Sequence, residues 1–258
     1  MGWISVLVAA AVAITLIAFL VLRRKGREDE ERGADSVDFG ANIALAIYLL
    51  VLAYAVVLCR DAYATSQTDI RAETETLSEM YWSIAPLPEA APLRARIREY
   101  SSQSVTLDWP LMRRGEMSPV PTKTLEDMRT AMLRLRPLDE TGKTLRQEAL
   151  AHVSEAAHAR STRADDARTG LESIFVISLI VSGLLVIVLP WTVGRRPTAA
   201  SVAGDLVRVA VVVVGVGFIV LISHPFSGVG AVGPDDFVAV QQQFDQIDAR
   251  FPLQPVAG

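Results

Sequence analysis

Gly228, Gly230 and Gly233 spell the GxGxxG of dinucleotide-binding turns, the first arrangement in this chain whose residue types and spacing could do chemistry. That chemistry needs a strand before the glycines, a helix after them and an acidic residue about 20 positions further on. Here an apolar stretch of membrane-helix character precedes, so the triplet reads as a turn. His152, Glu155 and His158 recur every three residues, which on a helix sets the two imidazoles about 120° apart. Zinc helices use a four-residue spacing that brings both nitrogens to one ion, so this triplet reads as a polar helix face. The single cysteine, Cys59, excludes an intramolecular disulfide and any CxxC metal site. With no nucleophile elbow, no phosphate loop and no carboxylates spaced for acid–base work, the chain is not expected to be an enzyme or to hold a metal or organic cofactor.

A second kind of chemistry is the handling of ions in a membrane. The apolar segments carry few polar groups, among them Asn42, Tyr48, Ser178 and Ser182, which are the pore candidates. Asn42, the only asparagine, can direct its amide toward a permeating anion or make an interhelical hydrogen bond at a helix start. Ser178 and Ser182 form a small-xxx-small pair suited to close helix packing. The first three apolar segments have no ionisable group at depth, which speaks against a proton-coupled transporter.

These residues sit on elements that the composition announces. Of 258 residues 51% are hydrophobic, and the runs are long enough to cross about 30 Å of hydrocarbon. Four spans are expected, at 3–22, 39–58, 174–194 and 206–223, the last with Arg208 reaching the headgroups. Between the second and third lies a body, residues 59–173, of 115 residues with 16 basic and 18 acidic side chains. Its apolar residues recur at helical spacing: Ile70, Leu77, Met80, Tyr81 and Ile84; Leu93, Ile97 and Tyr100; Leu125, Met128, Met132 and Leu135; Leu145, Ala149, Val153 and Ala156. Prolines punctuate the intervals, so the fold class is an all-α membrane protein with a helical domain inserted between spans two and three. With no Gly or Pro between Ala41 and Ala85, and only Gly142, Gly170 and Gly183 between Asp139 and Leu189, spans two and three are expected to run on into the body as continuous helices. Helices covered so incompletely by one small domain predict a homo-oligomer.

Charge places the chain. The loop 23–38 carries five basic residues and the loop 195–205 carries two, Arg195 and Arg196. The positive-inside rule puts both loops in the cytoplasm, and by parity the N-terminus, the body and the tail 224–258 outside. A net charge of −4, with no basic tail, argues against a nucleic-acid partner. Three lysines against twenty-two arginines have the character of a GC-rich bacterial genome, so a bacterial plasma membrane is the expected site.

Three stretches carry a family likeness. One is the second span with its helical continuation, from Tyr54 through AVVLCRDAY to AETETLSEMY, with Glu73, Leu77 and Tyr81; the second is Trp109-Pro110; the third is LISHPFSG followed by GPDDF. Together they resemble the bestrophin-like domain family of bacterial four-span membrane proteins, over most of the chain. The third stretch is similar to the exit from the last span of bestrophin channels, where Asn-Pro-Phe leads to an acidic run that forms a calcium clasp. Pro225 and Phe226 match, His224 stands where the asparagine would be, and Asp235 and Asp236 are what remains of the acidic run. Two aspartates fall short of the six to eight oxygens calcium takes, and they suit a helix start before Phe237, Val240 and Phe244 better than such a clasp. The resemblance implies an oligomeric ion channel with its pore along the second spans. Bestrophins keep the termini and the large second loop cytoplasmic, opposite to the placement the arginines predict here. Passive conduction of inorganic ions, anions by preference, is the expected activity. The alternative is a non-conducting membrane sensor or scaffold with an extracytoplasmic helical binding domain.

Overall fold

The computed structural model describes residues 30–192 and 199–252, and the expected first span at 3–22 lies outside them. Every regular element among the described residues is helical: α1 (Glu30–Ile84), α2 (Ala91–Gln103), α3 (Trp109–Met112), α4 (Pro119–Arg134), α5 (Glu140–Arg168), α6 (Ser173–Val188), α7 (Ala199–Ile222) and α8 (Asp235–Arg250). Three stretches among these residues are long and apolar enough to cross a bilayer, one each within Phe39–Ile84, Glu140–Val188 and Val202–Ile222. Helix extends beyond the expected spans, since α1 takes in residues 30–38 of the first loop and α7 takes in residues 199–205 of the third.

The 55-residue α1 bears out the expected continuity of the second span with the helix after it. The third span does not behave in the same way. α5 ends at Arg168, Thr169 is extended (φ −94°, ψ 113°), and helix resumes only at Ser173. The break falls around Gly170, since glycine is about 1 kcal/mol less favourable in a helix than alanine, and a Cβ there would come within 2.7 Å of the His224 imidazole. At the other end of α6, Pro190 cannot donate, and Leu189–Thr192 tightens into a 3-10 turn.

The described chain forms two compact units. One contains residues up to 60 with 171–223, and it is built on Tyr48. This side chain is fully buried, and its hydroxyl donates to the Val212 carbonyl at 3.0 Å. Gly183 and Gly215 make the seat, for a Cβ on either would press on the ring or its hydroxyl. Ala44, Ala55, Leu179, Val186 and Ile219 fill the remaining space between α1, α6 and α7.

The other unit, residues 61–170 and those from 224 on, packs α2 against α4 and α8, and α4 against α5, around the second half of α1. All the apolar stripes read from sequence face this core, with Ile70, Leu77, Met80, Tyr81, Ile84, Ile97, Tyr100, Met128 and Met132 fully buried. The tail after α7 belongs to the same core, because α8 buries Phe237, Val240, Phe244 and Ile247 there.

Candidate functional site

The three stretches that carry the family likeness meet inside the second unit, and the local cause is Pro110. A proline has no N–H, so the ordinary i→i−4 bond is missing at that position. The helix widens just before it into a π turn over Ser104–Asp108, where the Trp109 N–H reaches back five residues to the Ser104 carbonyl. The widened turn directs two consecutive side chains, Asp108 and Trp109, into the core.

Trp109 is the apolar hub. Phe226 meets it edge-on at 6.2 Å and Phe237 at 5.5 Å, while its indole N–H donates to the Val232 carbonyl at 3.2 Å. The loop carrying Gly228, Gly230 and Gly233 is thereby pinned to Trp109 and closed by a 2.8 Å bond from the Val232 N–H to the Pro225 carbonyl. Gly228 and Gly230 have φ of 89° and 77°, the backbone of a tight turn that glycine adopts most readily.

Above the hub lies a buried ionic network. Arg163, with no solvent exposure, sits between the Trp109 and Phe237 rings at 5.3 and 5.0 Å from their centroids. Its Nε donates to Glu73 Oε2 at 2.7 Å and its Nη2 to Glu73 Oε1 at 3.0 Å, a bidentate pair. The Tyr100 hydroxyl donates to the same carboxylate. Asp108 accepts from Arg160, from Arg163 at 3.5 Å and from the Ser118 N–H at 3.0 Å. Arg160 also reaches the Ser118 carbonyl at 2.7 Å and the Thr122 hydroxyl at 3.1 Å. Burial works against the Arg163 charge, and the Glu73 carboxylate outweighs it, so the guanidinium is held protonated above its ordinary range. Burial, with Glu73 beside it, pushes the Tyr100 phenol upward.

Two carboxylates face two guanidiniums here, and the charges cancel. A neutral, buried and hydrogen-bonded network of this kind fixes the relative positions of α1, α3, α5 and α8.

A second ionic cluster ties α8 down. Asp248 accepts from the Tyr81 hydroxyl at 2.8 Å, from Arg98 at 2.8 Å and from Arg94 at 3.0 Å, and Arg98 also pairs with Asp245 at 2.8 Å. Burial raises the Asp248 carboxyl, but the hydrogen bonds from Arg98 and Tyr81 outweigh it and hold the group below the usual range. The Tyr81 phenol is pushed up to about 12, chiefly by burial.

The remaining candidates occupy scattered positions. Glu73, Trp109 and Phe226 come together, Tyr81 lies in the second cluster, Pro110 is exposed beside the π turn, Pro225 is buried, and His224 lies over Gly170. Asp235 and Asp236 occupy the first turn of α8, with Asp236 3.7 Å from Arg71. No group of three or more His, Cys, Asp or Glu suited to a metal occurs among the described residues. Asn42 is exposed on α1. Ser178 and Ser182 donate back into their own helix, to Ile174 O at 2.8 Å and Ser178 O at 2.7 Å. His152 meets Glu155 at 3.0 Å.

Asp166, two residues before the end of α5, carries a pH dependence. Burial pushes its carboxyl upward; the Ser66 hydroxyl opposes this, and Asp69 and Asp165 add to it. Its Oδ2 is sealed from solvent without a donor. A carboxyl raised by folding stabilises the fold fully below the ordinary range near 3.9, and that contribution is lost as the pH climbs through the raised value. Melting temperature is therefore expected to rise on acidification across that window, and Asp166→Asn should be the more stable form at neutral pH with a flatter profile. Parallel wild-type and variant melting curves at every pH would count against this assignment.

No curated protein and no solved structure matches the chain. The bestrophin-like domain model matches residues 5–237, nearly the whole sequence and all three stretches that meet around Trp109 and Tyr81. The chain is therefore a member of the bestrophin-like domain family.

Proposed function

We propose that this membrane protein assembles as a homo-oligomer and conducts ions passively through a pore lined by α1. The observation that supports this most is the face of α1 that the other described residues leave exposed. Phe39, Ile43, Ile47, Leu50, Tyr54 and Val57 are all exposed, and from Ile43 on they alternate spacings of four and three. That is the repeat of a helix packed against parallel copies of itself around an axis. Asn42 lies on the edge of the same face, where its amide would border the ion path. Tyr48, Ser178 and Ser182 would act at one remove, through the packing of α1 against α6 and α7. Four spans, the body between the second and third, and the outside placement of body and termini in a bacterial plasma membrane belong to this reading.

The buried network suits it as well, since a pore helix has to be held in register by the body it enters. The rival sensor reading would need a ligand cleft, for which the open groove between α2 and α4, lined by Arg96, Asp127 and Arg134, is the nearest offering. Arg96 and Asp127 face each other there at 3.6 Å, with Glu89 and Arg134 on the same groove.

The test is flux in liposomes. Purified full-length protein is expected to dissipate an imposed KCl gradient well above the leak of empty vesicles. Flux equal to that leak under every ion gradient tried would sink the channel reading and leave the sensor.

A further inference from the structure

Within the body α1 and α5 run antiparallel. Leu87, just past the end of α1, lies 3.3 Å from where a Cβ on Gly142 in the first turn of α5 would stand, while Glu73 pairs with Arg163 at 2.7 Å toward the end of α5. That ion pair fixes the register. Residues three and four apart share a helix face, so one turn back along α1 from Glu73 stands Asp69, and one turn on from Arg163 in α5 stands Asp166. Two acids thus come opposite each other, both half-buried, and the Asp166 carboxyl meets the Asp69 carboxyl and the hydroxyl of Ser66, which is only 2% exposed.

The Asp166 Oδ2 is sealed from solvent and has no donor. An ionised carboxylate offers only acceptors, so Asp69 cannot satisfy that oxygen unless one of the two acids carries a proton. No cation fills the place, since neither acid has an ion-pair partner among the described residues. Arg163 is engaged with Glu73, and Asp165, the neighbouring acid on α5, lies 4.0 Å from Arg168. The turn that packs on the end of α5 through Gly115 carries Arg113, Arg114 and Glu116, all exposed and none paired with either acid.

We infer that Asp69 and Asp166 form a proton-binding site, in which one shared proton joins α1 to the last turn of α5. Release of that proton to solvent takes the pair from one negative charge to two. The like charges then repel across a contact partly withdrawn from water, and the last turn of α5 loosens from α1 where helix gives way to the extended Thr169. The upward shift of the Asp166 carboxyl, from burial first and then from Asp69 against the Ser66 hydroxyl, has the sign that sharing requires. The joint is therefore closed in acid and released as the pH climbs through the raised value. It does not depend on whether the protein conducts.

The test is hydrogen exchange and thermal melting of the full chain in detergent, in steps between about pH 4 and pH 8. Wild type is compared with Asp69→Asn, Asp166→Asn, the two combined, and Ser66→Ala. The double variant has no acid in the pair and sets the background from the other carboxyls. Relative to it, backbone exchange of wild type over residues 163–169, corrected for the intrinsic rate, is expected to quicken with pH by about tenfold for each unit by which the carboxyl is raised. Each single amide supplies the missing donor without titrating, so both single variants should follow the double variant. Ser66→Ala removes a donor that favours the charged form and should move the transition to higher pH. A transition that survives Asp69→Asn would show that burial of Asp166 acts alone, and it overturns the shared proton. So would asparagine variants that melt below wild type at neutral pH. Melting that responds while exchange over residues 163–169 does not would overturn the joint. Added Ca²⁺ that slows exchange at the alkaline end in wild type, and in neither single variant, would assign the pair to a metal ion instead of a proton.

Discussion

Glu73→Ala is expected to destabilise the helical body by about 3–5 kcal/mol, the usual consequence of removing one partner from a buried ion pair. The side chain it strands is Arg163, which has no solvent exposure and donates two of its hydrogen bonds to that carboxylate, at 2.7 and 3.0 Å. Asp108 cannot take over, because it already serves Arg160 and stands 3.5 Å from Arg163. The Tyr100 hydroxyl loses its acceptor in the same step. Against a total stability of about 5–15 kcal/mol for a typical domain, this is a large fraction, and the variant is expected to melt far below wild type or fail to accumulate. Glu73→Leu combined with Arg163→Met removes both charges and leaves Asp108 with Arg160 as a balanced pair, so the double variant should recover most of the loss. Thermal melts in one detergent of wild type, Glu73→Ala, Glu73→Leu, Arg163→Met and the double variant check it. A Glu73→Ala protein within about 1 kcal/mol of wild type would mean that the network contributes little to folding.

Much of the body was legible because its helices bury one stripe each. The positions read as core on α1, α2 and α4 are buried except Leu135, which is half-buried, and the prolines fall between elements or in their first turns. What was not read is the charge within the stripes. On α5 the run Ala149, Val153, Ala156 continues at the same spacing to Arg160, Arg163 and Ala167, which places two arginines on a buried face. On α1, Glu73 falls between Ile70 and Leu77 in the same way. One acid on one apolar stripe and two arginines on another was a signal present in the sequence, although the pairing across 90 positions between Glu73 and Arg163 was not. Asp108 could not have been placed at all, since its inward direction depends on the π turn that Pro110 forces. The break after Arg168 escaped for a related reason. Gly170 alone does not end a helix, and the His224 ring that passes against it lies 54 positions away in the sequence, beyond any local pattern.

Ending the chain after Gly233 is expected to abolish the folded body. A boundary near there is inviting, because the family likeness stops at residue 237 and the tail is short. Yet α8 buries Phe237, Val240, Phe244 and Ile247, and at roughly 1.5–3 kcal/mol for each fully buried apolar side chain the loss reaches the order of a domain's whole stability. That sum is an upper estimate, since an unfolded chain already covers part of such surface. Polar losses add to it. Arg94 and Arg98 would lose Asp248, Tyr81 would lose the acceptor of its hydroxyl, and Arg163 would lose the Phe237 ring at 5.0 Å. Phe244→Ala isolates the apolar part and should cost about 3–5 kcal/mol, because its ring stacks on Tyr81 at 4.5 Å with no exposure to solvent. Asp248→Asn isolates the ionic part and should cost less, since the cluster is partly exposed and an amide still accepts from Tyr81. Limited proteolysis and thermal melting of the three proteins read these differences. A chain ended at Gly233 that melts within a few degrees of the full-length protein would show that α8 only leans on a body complete without it, and the convergence on Trp109 would then have to hold through Phe226 and Glu73 alone.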